Sequence, residues 1–102
     1  MSEVYCIVWE FNVHPQSVAE FERHYGPDGS WAALFRSAPG YLGTQLLADA
    51  STRGLYLTVD RWRSEKEYDS FRRAHAGDYA ALDHECDALT LGEREVGRYS
   101  ER

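Results

Sequence analysis

At 102 residues, 43% of them hydrophobic and 14% aromatic, the chain is sized for one folded domain over residues 1–102, small enough that a partner chain helps to cover its apolar faces. Eleven Lys and Arg against seventeen Asp and Glu leave a net charge of −6, which repels the phosphate backbone and argues against nucleic acid as a partner. Two cysteines, Cys6 and Cys86, lack CxxC spacing and read as buried thiols, so neither a disulfide framework nor a bound metal is expected. Met1-Ser2-Glu3 carries no basic lead, and the apolar run Val4 to Trp9 stops at Glu10. That pattern predicts a cytoplasmic protein with neither a signal peptide nor a membrane span.

Glu3 to Val13 reads as the first strand, with Tyr5, Ile7, Trp9, Phe11 and Val13 on one face and Val4, Cys6, Val8, Glu10 and Asn12 on the other. Both faces are largely apolar. Pro15 suits a helix start, and Val18, Phe21 and Tyr25 recur at helical spacing. Gly26-Pro27-Asp28-Gly29 interrupts that helix, Asp28 or Ser30 caps a second piece carrying Trp31, Leu34, Phe35 and Ala38, and Pro39-Gly40 ends it.

Tyr41 to Asp49 and Leu55 to Trp62 form a hairpin around a turn at Ala50 to Gly54, with a Gly at position 43. Period two sets Leu55, Leu57 and Val59 on one face of the second hairpin strand and Tyr56, Thr58, Asp60 and Trp62 on the other. An acid, a hydroxyl and two aromatics on one strand face suit a pocket better than a sealed core. Which face meets the helices is not fixed by the pattern.

Ser64 with Glu67 makes a capping box for a helix that buries Tyr68 and Phe71. Gly77-Asp78 interrupts and restarts the pattern, Tyr79, Leu82, Cys86 and Leu89 give a further amphipathic helix, and Glu93 to Tyr99 reads as a short, charged edge strand. His24 lies among Glu20, Glu22 and Arg23 and reads as a surface residue. The order β-α-β-β-α-β predicts the ferredoxin-like α+β fold, four antiparallel strands with the helices on one face. The apolar open face then calls for a second copy packed sheet to sheet, a homodimeric α+β barrel.

The segments VWEF, GPDGSWAALF, APGYLGTQLL and YLTVDRWRSEKEYDSF, in this order and spacing, resemble the antibiotic biosynthesis monooxygenase family of dimeric α+β barrels. The likeness runs from about Val4 to Tyr99. It implies a homodimer with a pocket between sheet and helices in each subunit and, in one branch, oxygenation of aromatic polyketides or quinols by O₂ without a cofactor. Trp62 and Tyr68 match the aromatic pair which that branch places around its substrate. Its Asn corresponds to Thr58, and the sequence offers no clear equivalent of its Arg in the later helix. The haem-degrading branch carries Asn, Trp and His where this chain has Trp9, Phe71 and Ala81.

Oxygenation without a cofactor needs a substrate that gives an electron to O₂ once it has lost a proton, hence a dry pocket, aromatic walls and a base. Trp62, Tyr68, Tyr56 and Trp31 or Trp9 are the candidate walls, Thr58 the orienting hydroxyl, and Asp60 or His75 the base. A non-catalytic or stress-linked dimer that binds a small aromatic ligand is the alternative, with haem degradation third.

Overall fold

Alternation along the strands decides the layers. In β1 (Tyr5–Val13) the odd residues Ile7, Phe11 and Val13 are buried; in β3 (Leu55–Trp62) the even residues Tyr56, Thr58 and Trp62 are. The register brings these two sets onto one face, with Trp9 opposite Thr58 and Ile7 opposite Asp60. That face meets the helices. The computed structural model describes residues 3–102; Met1 and Ser2, which belong to the start read above as lacking a basic lead, lie outside the described residues.

β2 (Tyr41–Ala48) and β4 (Thr90–Ser100) complete an antiparallel sheet of order β2-β3-β1-β4. The helices are α1 (Val18–Tyr25), α2 (Ser30–Phe35), α3 (Glu65–Ala74) and α4 (Ala76–Cys86). This is the ferredoxin-like β-α-β-β-α-β arrangement predicted from the element order. Among the described residues no helix is long and apolar enough to cross a membrane.

The core is an aromatic web. Phe21 and Tyr25 of α1 stack at 4.3 Å between ring centroids, and Phe11 packs on both. Trp62, fully buried, sits 5.2 to 5.5 Å from Phe35, Tyr41, Tyr68 and Phe71. Each such ring contributes roughly 2–3 kcal/mol through removal of apolar surface from water. Cys6 and Cys86 are both buried free thiols.

On the other face of the sheet, Val8, Leu57 and Val59 remain half-buried and Leu47 is exposed, with no helix over them. β1 is therefore apolar on both sides, as its sequence indicates, and only one side is covered within the chain.

Two element boundaries and one side chain differ from the pattern reading. β4 spans Thr90–Ser100 rather than Glu93 to Tyr99, because its charges do not end the ladder: Arg94 pairs with Glu10 across β1 at 3.0 Å, and a bulge beside Val8 and Trp9 accommodates the extra residue. The break between α3 and α4 falls at His75, with Gly77 inside the first turn of α4. His24 is half-buried instead of a surface residue, its Nδ1 lying 2.8 Å from Ser30 Oγ, which ties α1 to the start of α2.

Candidate functional site

Between the sheet and the helices lies a cavity of about 260 Å³. Its floor is Trp9 and Phe11 of β1 with Thr58 and Asp60 of β3; Tyr25, Trp31 and Phe35 wall it from α1 and α2, and Tyr79 from α4. Thr44 of β2 closes one side, and the exposed residues Arg72, Asp83 and Glu93 mark the mouth. The volume is at the small end for ligand sites and suits a molecule of one to a few fused rings.

Asp60 is the carboxylate set furthest into this space. Direct opposition of Thr44 and Asp60 in the β2–β3 register lets Thr44 Oγ1 donate to Asp60 Oδ1 at 2.6 Å. Desolvation by burial pushes its pKa from 3.8 up to about 6, with the Thr44 hydrogen bond pulling the other way. Among the described residues no guanidinium pairs with it: Arg61 pairs with Glu101 at 2.7 Å, and Arg63 lies 4.0 Å from Glu67. A carboxylate poised near neutrality inside an aromatic cavity is equipped to accept a proton from a bound phenol.

Local sequence sets the opposite wall. Ser64 Oγ accepts from the Glu67 backbone N–H at 3.2 Å, which starts α3 immediately after the Trp62–Arg63 corner. Gly40 is required beside it, since a Cβ there would stand 2.4 Å from Glu67 Cβ. Two turns later Arg72 reaches the cavity, its Cζ 3.8 Å from the Tyr79 ring centroid, while Nη1 donates to Tyr68 Oη at 3.0 Å. Burial pushes the Tyr79 phenol up, so it stays a neutral hydroxyl. Glu93 is also raised, by partial burial first and then by the neighbouring carboxylates of Asp83 and Asp87.

Of the residues singled out from the sequence, Thr58, Asp60, Trp9 and Trp31 line the cavity together. Trp62 and Tyr68 touch each other and are not among the lining residues: Trp62 backs the cavity-lining Phe35 and is fully buried, and Tyr68 accepts from the lining residue Arg72. Tyr56 is buried and donates to Glu22 Oε2 at 2.5 Å, a clamp between β3 and α1 that raises its phenol to about 12. His75 is not among the lining residues; it is stacked on Phe71 with Nε2 3.3 Å from Ser37 Oγ and Nδ1 3.4 Å from Asp78, so of the two bases named from the sequence only Asp60 borders the cavity.

Arg72, Thr44, Tyr25, Phe35 and Tyr79 are lining residues that the sequence did not single out. Arg72 follows Tyr68 by one helical turn, which was the available signal, since that spacing puts both on one helix side. Among the described residues no group of three or more His, Cys, Asp or Glu is placed to hold a metal ion.

Residues 4–77 match the family described as Antibiotic biosynthesis monooxygenase. No curated protein sequence matches the chain. Among solved structures it is similar to SnoaB, a cofactor-independent oxygenase from Streptomyces nogalater. An asparagine-to-alanine mutant of SnoaB aligns with a TM-score of 0.78 and 25% identity over 99% of this chain and 95% of that one. A Caulobacter crescentus protein bearing the antibiotic biosynthesis monooxygenase name gives a TM-score of 0.79 at 18% identity, over 99% and 92%. PA3566 from Pseudomonas aeruginosa gives 0.71 at 16% identity, over 100% and 97%. The last two likenesses are of fold alone. With most of its length matched to the family and the fold shared from end to end, this chain is a member of the antibiotic biosynthesis monooxygenase family.

Proposed function

We propose that the chain is a cofactor-independent monooxygenase of a small phenolic, quinol or polyketide-like aromatic substrate, working as a homodimer. The observation that carries this reading is Asp60, a carboxylate that lines a cavity walled by aromatic rings, accepts from Thr44 and is raised by burial to about 6. Family membership and the 25% identity to a cofactor-independent oxygenase point the same way.

In this mechanism the ring enters between Trp9 on the floor and Trp31, Phe35 and Tyr79 on the walls. Thr58 orients a ring oxygen. Asp60 takes the phenolic proton, the anion gives an electron to O₂, and recombination forms a hydroperoxide on the ring carbon; the ring C–H and the O–O bond then break, leaving one oxygen atom on that carbon while the other leaves as water, its two protons being the ring hydrogen and one drawn back from solvent. Arg72 at the mouth supplies positive potential to the anion as it forms. Sheet-to-sheet pairing of two chains through Val8, Leu57 and Val59 would bury the open face and hold the floor of each cavity rigid.

The alternative, a dimer that binds an aromatic ligand without turnover, shares the cavity and is favoured by Thr58 at the position where the oxygenating branch carries Asn. The test is an aerobic panel of hydroquinones and naphthols with metal-stripped, flavin-free protein, read at once by an O₂ electrode and by Trp fluorescence. O₂ uptake that Asp60→Asn abolishes supports the oxygenase. Saturable quenching with no O₂ uptake for any member of the panel selects the binder.

A further inference from the structure

Tyr41 and Thr44 stand three residues apart on β2, so in a regular strand they would point to opposite faces. They do not. The β2–β3 register slips between Tyr41 and Gly43, and Gly43 takes φ +140°, a conformation that side-chain-bearing residues rarely adopt. The bulge turns both hydroxyls to the same face, where Tyr41 Oη lies 2.5 Å from Thr44 Oγ1 and Thr44 Oγ1 lies 2.6 Å from Asp60 Oδ1. Thr44 has one proton and gives it to Asp60, so Tyr41 is the donor to Thr44. The result is a continuous hydrogen-bonded chain from the cavity carboxylate to a half-buried phenol near the exposed Arg36–Asp28 pair.

We infer that Tyr41 and Thr44 are the proton exit of Asp60. The need for one follows from the cavity: an aromatic ring that fills it displaces the water through which Asp60 would otherwise exchange protons. The other polar side chains named on the cavity, Thr58 of β3, Arg72 of α3, Tyr79 and Asp83 of α4, Tyr25 of α1 and Glu93 of β4, make no hydrogen bond to Asp60. Among the described residues Thr44 is its one side-chain partner.

The step balances. A phenolic O–H breaks and its proton joins Asp60, leaving the phenolate. The Tyr41 and Thr44 hydroxyls first rotate, so that Thr44 O–H points at Tyr41 Oη and Tyr41 O–H points at solvent. Protonated Asp60 then donates to Thr44 Oγ1, the Thr44 proton passes to Tyr41 Oη, and the Tyr41 proton passes to solvent water. One proton leaves, and the hops return both hydroxyls to the orientation in which Tyr41 donates to Thr44 and Thr44 to Asp60. Tyr41 and Thr44 are positioning and relay residues and touch no reacting atom of the substrate. The inference rests on the reading of Asp60 as the base.

The test uses the full chain with 4-nitrophenol, a chromogenic phenol whose anion absorbs in the visible and which O₂ does not attack. After stopped-flow mixing near pH 6, absorbance reports formation of the bound anion and a dissolved pH indicator reports the released proton. In the wild type the two signals rise together. In Tyr41→Phe and Thr44→Val the indicator signal lags the anion by fivefold or more, and Thr44→Ser, which keeps the hydroxyl, restores coincidence. With an oxidisable quinol the same two variants lower kcat about tenfold with KM within about twofold, and the solvent deuterium isotope effect on kcat rises.

Coincident signals in all variants overturn the relay even where quinol oxidation proceeds. A lag without O₂ uptake from any quinol leaves the relay standing and overturns the oxygenase reading. Failure of 4-nitrophenol to ionise on the protein overturns Asp60 as the base, and the relay with it.

Discussion

Asp60 carries opposite consequences for stability and for chemistry. A carboxyl whose pKa is raised in the folded state favours folding only while protonated. Below its unfolded value of 3.8 both states are protonated and its burial is free; stability is then lost as pH rises, and above about 6 the full penalty, roughly 3 kcal/mol, is in place. Asp60→Asn is therefore predicted to resist urea better than the wild type at pH 8, with the two midpoints converging near pH 4. The same substitution removes the base, so kcat/KM of the wild type rises through pH about 6 and the variant shows no such rise. Arg72 gives a second prediction at this scale. Arg72→Met, which removes the cation at the mouth, is expected to cost about tenfold in kcat/KM, and Arg72→Lys recovers only part of it, because an ammonium does not reproduce the planar stack on Tyr79. Strand alternation put Asp60 and Thr58 on one face with Tyr56 and Trp62, but left open whether that face meets the helices. Arg72 had only its spacing from Tyr68 as a signal, since a charged residue near a helix end has the same sequence signature whether it faces solvent or a cavity. Trp62 reads from the sequence as a pocket wall, and what the sequence hides is Phe35, a lining residue from a helix distant in sequence that packs between Trp62 and the cavity.

At the scale of elements, the hairpin and the α3 start act as one positioning unit. The Ser64 cap fixes where α3 begins, and Gly40 lets the chain pass against Glu67. Ser64→Ala is predicted to cost about 1 kcal/mol. Gly40→Ala is predicted to cost about 1–3 kcal/mol, because the new methyl meets Glu67 Cβ at an impossible distance and one strand or helix has to shift. Urea melts at constant pH measure both. The capping box and the hairpin were readable because their signals are local. The length of β4 and the bulges were not, because they depend on which cross-strand partner each residue meets: Arg94 extends the ladder through Glu10, and Gly43 looks the same in a sequence whether the strand is regular or bulged. The His24 contact with Ser30 was hidden for a similar reason, since it depends on the tight turn between α1 and α2.

At the scale of the whole molecule, the fold follows from element order, while the two uses of the sheet follow from β1. One face of β1 supplies Trp9 and Phe11 to the cavity; the other, with Leu57 and Val59 beside it, is left without cover in the single chain. A homodimer through that face is predicted to give twice the chain mass by light scattering at micromolar concentration. Val59→Glu, which places a charge in the middle of the face, is expected to yield the monomer and to lower thermal stability. The central claim is that the cavity oxygenates a phenol without help from a bound cofactor. Its most direct test is turnover of the responsive quinol under ¹⁸O₂ by metal-stripped, flavin-free protein, with Asp60→Asn in parallel. The account predicts one labelled oxygen atom in the product, one O₂ consumed per product, and no product above background from Asp60→Asn. Unlabelled product, or a wild-type rate unchanged by the substitution, would contradict it.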